Sequence, residues 1–490
     1  MSGADLPSSL GAPPTGERGP DVEPEGALAR LGARFTAFAE RYLPDAFVFA
    51  LVATALIVGA AMLTSQATPL QVLTMWGDGF WDLIPFTLQM SLVIITGYVL
   101  ATSRPMYRVI AALASVPSSP RAAVAWVAFF AMASSWLNWG FSLIFSAMLA
   151  KETARRHARV DYRAVAAAAF LGLGSVWAQG LSGSAALQMA TASAMSKEVR
   201  DIVAGGGRLP GGVIPLSSTI FLWQSLVSVV VEIVIVTAVM YLATPTAARA
   251  KSAADLGVDL GPSPLASQPD GGARTPGEWL EHSRLPSLLF VAMSGTYLVT
   301  TFVVGKKGIA GITLNVIILS FLSLGFLLHG TPARLMRAFK EATPGVWGVI
   351  LQFPFYAGLA AVLTKTHLSA AIARFFVGIS TAKTFPAVIA VYSAVLGVFV
   401  PSGGSKWVIE APYVMQAAHD LQVNLGWMVA VYDLGEALAN LVQPFWMLPI
   451  LGLLGLRARD VMGYTFLVCI VLVPVVLVLV TVLGATLPYP

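Results

Sequence analysis

Apolar runs long enough to cross a bilayer recur along the whole chain, and they constrain its fold more than any other feature. Residues 47–63, 226–242 and 466–483 are clear examples. A run of about 20 apolar residues spans the hydrocarbon core as an α-helix. Barrel strands would alternate apolar and polar residues, which these runs do not do. The sequence therefore predicts an all-α polytopic membrane protein.

The composition agrees with a membrane-embedded chain. Of 490 residues, 57% are hydrophobic and 11% are charged, whereas soluble domains carry about a quarter charged residues. The formal net charge of +5 comes from basic residues concentrated in a few loops, which indicates membrane topology rather than a nucleic-acid surface. The single cysteine, Cys469, excludes an internal disulfide and a cysteine metal cluster.

The N-terminal region is predicted to lie outside the bilayer core. Residues 1–26 are rich in Pro, Gly and acidic residues without an apolar core, so we expect a disordered cytoplasmic tail rather than a signal peptide. Residues 27–42 place Leu28, Leu31 and Phe35 near helical spacing with arginines between them. This pattern predicts an amphipathic interfacial helix.

Charge distribution divides the remaining chain into two membrane halves. The first half covers residues 43–243, a polar cytoplasmic linker covers 244–284, and the second half covers 285–490. Within the first half, the apolar stretch 122–150 has arginines on both flanks, so both ends should face the cytoplasm. We therefore predict a re-entrant hairpin that turns near Asn138. A second hairpin, 385–418, is interrupted at 401–405 and should enter from the opposite side.

Two further spans, 164–194 and 427–455, are interrupted by Gly, Ser or polar residues and should break in mid-membrane. The total is about nine transmembrane helices and two hairpins. Gly140 and Gly172 are separated by 32 positions, as are Gly403 and Gly435. Together with the inverted charge topology, this repeat predicts an inverted-repeat secondary transporter with a midplane site and a cytoplasmic N-terminus.

The breaks predict where a substrate binds. Helix N-termini at a break present N–H groups and partial positive charge, which favour a carboxylate ligand. The candidate substrate-binding residues lie at the hairpin tips and breaks: Asn138, Trp139, Gly140, Ser182, Gly183, Ser184, Ser402, Gly403, Gly404, Ser405, Trp407, Asn440 and Gln443. The alternative is that these Gly and Ser residues serve tight helix packing. Trp136, Trp139, Trp177 and Trp407 are candidates to line an apolar pocket.

Ionisable residues at membrane depth suggest ion coupling. Glu436 and Asp433 lie in the second broken span, and Gln179 in the first broken span corresponds to about Gln443. Glu436 has no obvious local cation, which favours coupling to H+ or Na+, with a possible Na+ site near Ser405, Glu436 and Asn440. Lys406 and Glu410 are four residues apart, so a structural ion pair on one helix face is favoured for them.

From residue 40 onward, the chain resembles the AtoE-type short-chain fatty acid transporters in many short motifs that occur in the same order. They are LPD at 43–45, MWGDGFW at 75–81, NWGF at 138–141, SGS at 182–184, QFPFYAG at 352–358, VPSGG at 400–404, WVI at 407–409, QPFW at 443–446 and RDVMGY at 459–464. More distantly, SGGSKWVIEAP and YDLGEALAN are similar to the hairpin and broken helix of AbgT-type transporters. The resemblance implies nine spans, two hairpins, a homodimer in the bacterial inner membrane, and ion-driven uptake of monocarboxylates such as butyrate or acetoacetate.

The chain departs from the distant family at two positions, and other functions stay open. Asp433 replaces the Arg of a Tyr-Arg pair and Glu436 replaces an Asp, so recognition of the substrate should differ. One alternative is an exporter or antiporter of larger carboxylates. Another is a membrane-embedded hydrolase that uses Ser184 or Ser405, although neither GxSxG nor HExxH occurs near them.

Overall fold

The computed structural model describes residues 46–65, 67–205, 209, 211–246, 250–261, 275–305, 313–399, 403–443 and 445–489. The predicted tail 1–26, the predicted amphipathic helix 27–42 and Ser402 lie outside the described residues. So does the side chain of Ser405, whose backbone is part of a helix.

The described residues form α-helices and no strand, which confirms the all-α prediction for this part of the chain. The first half contains α1 (Ala46–Thr64), α2 (Pro69–Gly79), α3 (Ile84–Ala101), α4 (Arg104–Ala114), α5 (Pro120–Leu137), α6 (Trp139–Arg156), α7 (Tyr162–Leu171), α8 (Ser184–Met189), α9 (Lys197–Gly205) and α10 (Trp223–Ala243). A π-helix, Gly172–Val176, continues α7, and 3-10 turns cover Ala192–Ala194 and Leu216–Ser218.

The second half contains α11 (Pro276–His282), α12 (Leu285–Val299), α13 (Leu314–His329), α14 (Pro332–Ala342), α15 (Trp347–Lys365), α16 (Leu368–Ile379), α17 (Phe385–Phe399), α18 (Gly403–Asp420), α19 (Leu425–Asn440), α20 (Leu448–Leu454) and α21 (Ala458–Gly484). A π-helix, Thr300–Val304, follows α12, and 3-10 turns cover Thr343–Val346 and Phe445–Met447.

Within the described part of the chain, five helical segments are long and apolar enough to cross a bilayer: α3, α10, α12 with its π-helix, α15 and α21. Shorter apolar helices include parts of α1, α7, α13, α16 and α17. Large apolar side chains such as Val234 on α10, Leu289 on α12 and Val482 on α21 are exposed. An exposed apolar face of this kind is expected where lipid replaces water as the solvent.

Two basic segments that the positive-inside rule predicts as cytoplasmic loops, 104–114 and 332–342, are short amphipathic helices. On α4, Tyr107, Ile110 and Ala114 are buried while Arg104 and Arg108 are exposed. The buried residues are separated by three and four positions, which places them on one helix face. The same spacing recurs on α14. The sequence did not predict these helices, because their arginines indicate a cytoplasmic position without indicating a secondary structure.

The two broken helices occupy the centre of the fold. Every residue of α19 is buried, and α7 is buried except at Arg163. The paired helices α5 and α6 pack against each other and against α7, whereas α17 packs along α19. Each of the two predicted hairpin regions therefore has an arm against a broken helix.

Candidate functional site

The turn between α5 and α6 is fixed by a buried asparagine. Asn138 has an extended backbone between the two helices, and its Oδ1 accepts a hydrogen bond from the Phe141 N–H at 2.7 Å. Its Nδ2 donates to the Val93 carbonyl at 3.3 Å. Gly97 lies directly against the carboxamide, where a Cβ would clash. Asn138 thus acts as an N-cap that positions the start of α6.

The break after α7 is joined to this turn. The Trp139 N–H donates to Ser182 Oγ at 2.9 Å, and the Leu181 N–H donates to the Trp136 carbonyl at 2.8 Å. Gly140 lies close to the Ile94 carbonyl, and Gly183 lies against the Ala178 carbonyl. These bonds satisfy buried backbone groups that the irregular segment would otherwise leave unpaired.

The first residues of α18 also contact this break. The Tyr432 hydroxyl donates to the Gly403 carbonyl, and Gln188 Nε2 donates to the Gly404 carbonyl at 3.1 Å. A Cβ on Gly404 would lie 2.9 Å from the Ser184 Cβ. The structure therefore brings the predicted residues Ser184, Gly403 and Gly404 together.

The two broken helices also cross each other directly. Asn440 Nδ2 donates to the Leu173 carbonyl in the π-helix at 3.0 Å. Gln443 Nε2 donates to Asn440 Oδ1 at 2.8 Å. Gly174 lies against the Leu441 side chain. Asn440 and Gln443 consequently hold the crossing in this conformation.

Only part of the predicted tryptophan cluster forms. The rings of Trp139 and Trp177 are in edge contact at 6.3 Å between centroids, and Trp139 contacts Trp446 at 5.5 Å. Trp407 packs instead on Tyr432 at 4.6 Å. Trp136 makes an edge contact with Phe221, a residue that the predicted cluster did not include.

A buried ion-pair network lies where α17, α18 and α19 meet. Lys406 Nζ contacts Glu436 Oε2, lies 3.5 Å from Glu410 Oε1 and donates to the Ser393 carbonyl at 2.6 Å. The Ser393 hydroxyl donates to Glu410 Oε2 at 2.8 Å. The ammonium lies 4.7 Å from the Tyr432 ring centroid. The Lys406–Glu410 pair predicted from sequence is therefore present.

Glu436, which has no obvious local cation in the sequence, has Lys406 as its cation in the structure. Lys406 is 30 positions earlier in the sequence, and it reaches Glu436 because α17 and α18 fold back onto α19. Short-range spacing could not reveal a pair that only the tertiary fold creates.

The network contains more acids than bases. Asp433 precedes Glu436 by nearly one turn of α19, is 1% exposed, and its Oδ2 has no hydrogen-bond partner among the described residues. Glu410, Asp433 and Glu436 are all buried beside one ammonium, that of Lys406. Buried charge must be neutralised. Protons or a bound cation are needed to balance the excess carboxylates.

Gln179, predicted to act in ion coupling, has a different partner. Its Nε2 lies 3.1 Å from each carboxylate oxygen of Glu232 on α10. Glu232 was missed, although an acid within a 21-residue apolar helix is itself a signal of function. Gln188 and Ser393 were also missed, because isolated polar residues in apolar stretches carry no recognisable motif.

A cavity of about 950 Å³ borders the site. It reaches Gln188, the residue bonded to the Gly404 carbonyl. Asp82 also lines it. The segment 65–84 carries Asp78 and Asp82 but no Lys or Arg, which predicts an external position for it. Further lining residues are Ser193, Ala360, Lys365, Ala411 and His419. The cavity offers an access path to the break region.

Comparisons with known proteins give consistent results. The family model described as "Short chain fatty acid transporter" matches residues 27–483. Two relatives carry the name "Putative short-chain fatty acid transporter". The one from Escherichia coli (strain K12) is 35% identical over 442 residues, covering 89% of this chain and 96% of the relative. The one from Haemophilus influenzae is 34% identical over 454 residues, covering 92% and 99%.

Two solved structures share the fold. The YdaH transporter of Alcanivorax borkumensis superposes with a TM-score of 0.58 at 16% identity, covering 90% of this chain and 98% of that one. MtrF of Neisseria gonorrhoeae, described within a class of antimetabolite efflux pumps, gives a TM-score of 0.57 at 13% identity, covering 92% and 97%. At these identities the likeness concerns the fold alone.

Proposed function

The chain belongs to the short-chain fatty acid transporter family, and from this premise we propose that it is a secondary active transporter of short monocarboxylates such as butyrate and acetoacetate. We propose that transport is driven by H+ or Na+ through alternating access. The protein would lie in the bacterial inner membrane with a cytoplasmic N-terminus and would assemble as a homodimer.

The observation that carries ion coupling is the buried network around Lys406. One ammonium lies among Glu410, Asp433 and Glu436, all at most 1% exposed. A network with excess buried negative charge favours the uptake of a positive ion. Glu436 contacts Lys406 and Asp433 lies nearly one turn before it on α19, so these two carboxylates are the ones that would take up the proton or Na+.

The substrate carboxylate would bind near the N-terminus of α18, beside this network. Backbone N–H groups at a helix start attract an anion, and Gly403 and Gly404 let other groups approach this backbone closely. A Cβ on Gly403 would lie 2.5 Å from the Trp177 ring. Trp177 and Trp139 would then pack against the short alkyl chain. Asn138, Gly140, Ser182, Gly183, Asn440 and Gln443 would position the hairpin and broken helices, whereas Ser184, Ser402, Ser405 and Trp407 remain candidates for direct contacts.

Two equivalent glycine contacts support the inverted repeat and the re-entrant hairpins. Gly172 in the first broken helix lies against the Ala131 carbonyl of α5, and Gly435 in the second lies against the Ala390 carbonyl of α17. Each glycine thus lets a broken helix approach the first arm of its own hairpin. We propose that the hairpins move relative to these helices as access alternates.

Export or exchange of larger carboxylates is the second candidate. The description of MtrF as one of a class of antimetabolite efflux pumps and the cavity of about 950 Å³ favour it, since butyrate is far smaller than this cavity. The hydrolase alternative involving Ser184 or Ser405 predicts chemically altered substrate, which recovery of intact label would contradict.

The proposal is tested with purified protein in proteoliposomes. Labelled butyrate and acetoacetate uptake is measured under a proton gradient, a Na+ gradient and no gradient, with protein-free liposomes correcting for passive entry. We expect one gradient to drive accumulation and short monocarboxylates to compete better than an aromatic amino-acid conjugate. Stronger competition by the conjugate, with no butyrate accumulation, would support the second candidate instead.

A further inference from the structure

A second buried acid lies apart from the Lys406 network. Glu232 is 2% exposed on α10, a helix of 21 residues that is apolar enough to span a bilayer. An ionisable group at this depth is costly and is retained mainly where it serves binding or transport. The network around Lys406 does not use it.

The partner of Glu232 can satisfy both protonation states of the carboxyl group. Gln179 Nε2 lies 3.1 Å from both carboxylate oxygens, as a donor to a charged carboxylate. Gln179 is 2% exposed, and its Oε1 has no hydrogen-bond partner among the described residues. A protonated carboxyl group carries an O–H that can donate to an amide oxygen. Rotation of the amide would therefore exchange one hydrogen bond for the other.

The titratable side chains on the helices that pack against α10 lie away from Glu232 along the helix axis. These helices are α5, α7 with its π-helix, and α21; their titratable residues are Arg121, Tyr162, Arg163, Arg459, Asp460, Tyr464 and Cys469. Arg121 donates to the carbonyl of Thr244, twelve positions beyond Glu232, a distance of about 18 Å along a helix. Arg163 pairs with Asp161.

The titratable residues of α7 and α21 likewise lie toward one end of α10. Gln224 near the start of α10 donates to Thr486 just beyond α21. The two helices run in opposite directions. Glu232, eight positions after Gln224, therefore lies beside about position 478 of α21, eight positions before Thr486. Cys469, the nearest titratable residue of α21, is then about 14 Å further along the helix. Glu232 thus depends on Gln179 rather than on a neighbouring charge.

Gln179 links Glu232 to the two broken helices. It lies three positions after Val176, the last residue of the π-helix, and donates its backbone N–H to the Val176 carbonyl; π-helical turns are frequent at functional sites. The same π-helix supplies the Leu173 carbonyl that Asn440 bonds. Three positions after Gln179, Ser182 accepts from the first N–H of α6. These hydrogen bonds link Gln179, and through it Glu232, to both broken helices.

We infer that Glu232 is a proton-binding site of the transport cycle, separate from the Lys406 network, with Gln179 as its positioning partner. This inference deepens the proposed function, because it rests on ion-coupled transport. It assigns to the first half of the chain a proton site of its own, whereas the carboxylates Glu410, Asp433 and Glu436 of the Lys406 network lie in the second half.

The test is infrared difference spectroscopy of the purified protein between acidic and alkaline pH, a measurement that needs no substrate. A protonated carboxyl group gives a C=O stretching band distinct from that of a carboxylate. We expect Glu232→Gln to remove the contribution of one carboxyl group from the wild-type spectrum. Identical spectra for the two proteins, or a Glu232 band that responds to Na+ rather than to pH, would overturn the assignment.

Two further variants make the result interpretable. Glu436→Gln, the matched control in the other half, should leave the Glu232 band in place. If Glu232→Gln does not yield folded protein, Gln179→Leu keeps the acid but removes its partner, and it should change the frequency of the same band because hydrogen bonding to the carboxyl group changes. An unchanged band in Gln179→Leu would contradict the role of this partner. Failure of butyrate uptake would leave these spectra unaffected, so the two proposals fail separately.

Discussion

Asn440 and Leu173 join the two broken helices through one hydrogen bond, from the side-chain amide of Asn440 to the Leu173 carbonyl at 3.0 Å. Leu173 lies in the π-helix of the first half, and Asn440 ends α19 in the second half. Asn440 also follows Glu436 by four positions on the same helix. The bond therefore lies between the acid Glu232, reached through Gln179, and the ion-pair network of Lys406.

Removing this link should destabilise the protein measurably. Asn440→Ala leaves the buried Leu173 carbonyl without its donor, and an unsatisfied buried group costs about 1–3 kcal/mol. We expect a lower midpoint of thermal denaturation in detergent and slower transport. Thr296→Ala is the control, because Thr296 is exposed and its hydroxyl donates to the Ala292 carbonyl of its own helix, and surface substitutions usually change stability by less than about 0.5 kcal/mol. Equal effects of the two variants would show that the crossing does not depend on Asn440.

Gly172 and Gly435, which we propose to be equivalent in the inverted repeat, should tolerate alanine equally poorly. A Cβ at Gly172 would meet the Ala131 carbonyl, and one at Gly435 would meet the Ala390 carbonyl. Overpacking a closely packed contact costs about 1–3 kcal/mol. Gly295→Ala is the matched control, since no atom lies within 4 Å of a Cβ there. Thermal denaturation of the three variants should separate Gly295→Ala from the other two, and a mild effect at either Gly172 or Gly435 would weaken the proposed equivalence.

Replacing Lys406 alone should reduce the yield of folded protein more than replacing Lys406 together with Glu436. Lys406→Met leaves three buried carboxyl groups without their cation, and breaking a buried ion pair costs about 3–5 kcal/mol. We expect little folded protein by size-exclusion chromatography. Lys406→Met combined with Glu436→Gln removes one charge of each sign and should recover part of the yield. A double variant no better folded than Lys406→Met would argue against the pairing of these two residues.

Thiol labelling can test the proposed topology, because Cys469 is the sole native cysteine. In a Cys469→Ser background, Ser193→Cys places a thiol at the exposed lining of the 950 Å³ cavity. Ala254→Cys places one on the exposed linker. A membrane-impermeant maleimide should label Ser193→Cys in right-side-out vesicles and Ala254→Cys in inverted vesicles. Labelling of both from one side would contradict the assignment of the linker and the cavity to opposite faces.

Elements fixed by local pattern could be predicted from the sequence. Apolar runs predicted the all-helical fold, and a polar residue between two apolar stretches located the turn at Asn138, because these properties depend on neighbouring residues. Lys406–Glu410 followed from spacing of four residues on one helix.

Contacts made by distant segments could not be predicted in this way. Lys406 meets Glu436, and Gln179 meets Glu232, only after helices from separate parts of the chain pack together. The amphipathic helix α4 was also missed, since its arginines indicate a cytoplasmic loop as readily as a helix surface. Asn138 and Ser182 were expected near the substrate, and the structure shows that both form hydrogen bonds at the start of α6.

The most direct test of ion-coupled carboxylate transport compares wild type with Glu436→Gln in proteoliposomes. Butyrate accumulation under an imposed proton or Na+ gradient is measured beside exchange of internal for external butyrate at equal concentrations. We predict that wild type accumulates butyrate under one of the gradients, whereas Glu436→Gln loses at least about tenfold of this accumulation and retains exchange. Full accumulation by Glu436→Gln, or the absence of any butyrate transport by wild type, would contradict the account.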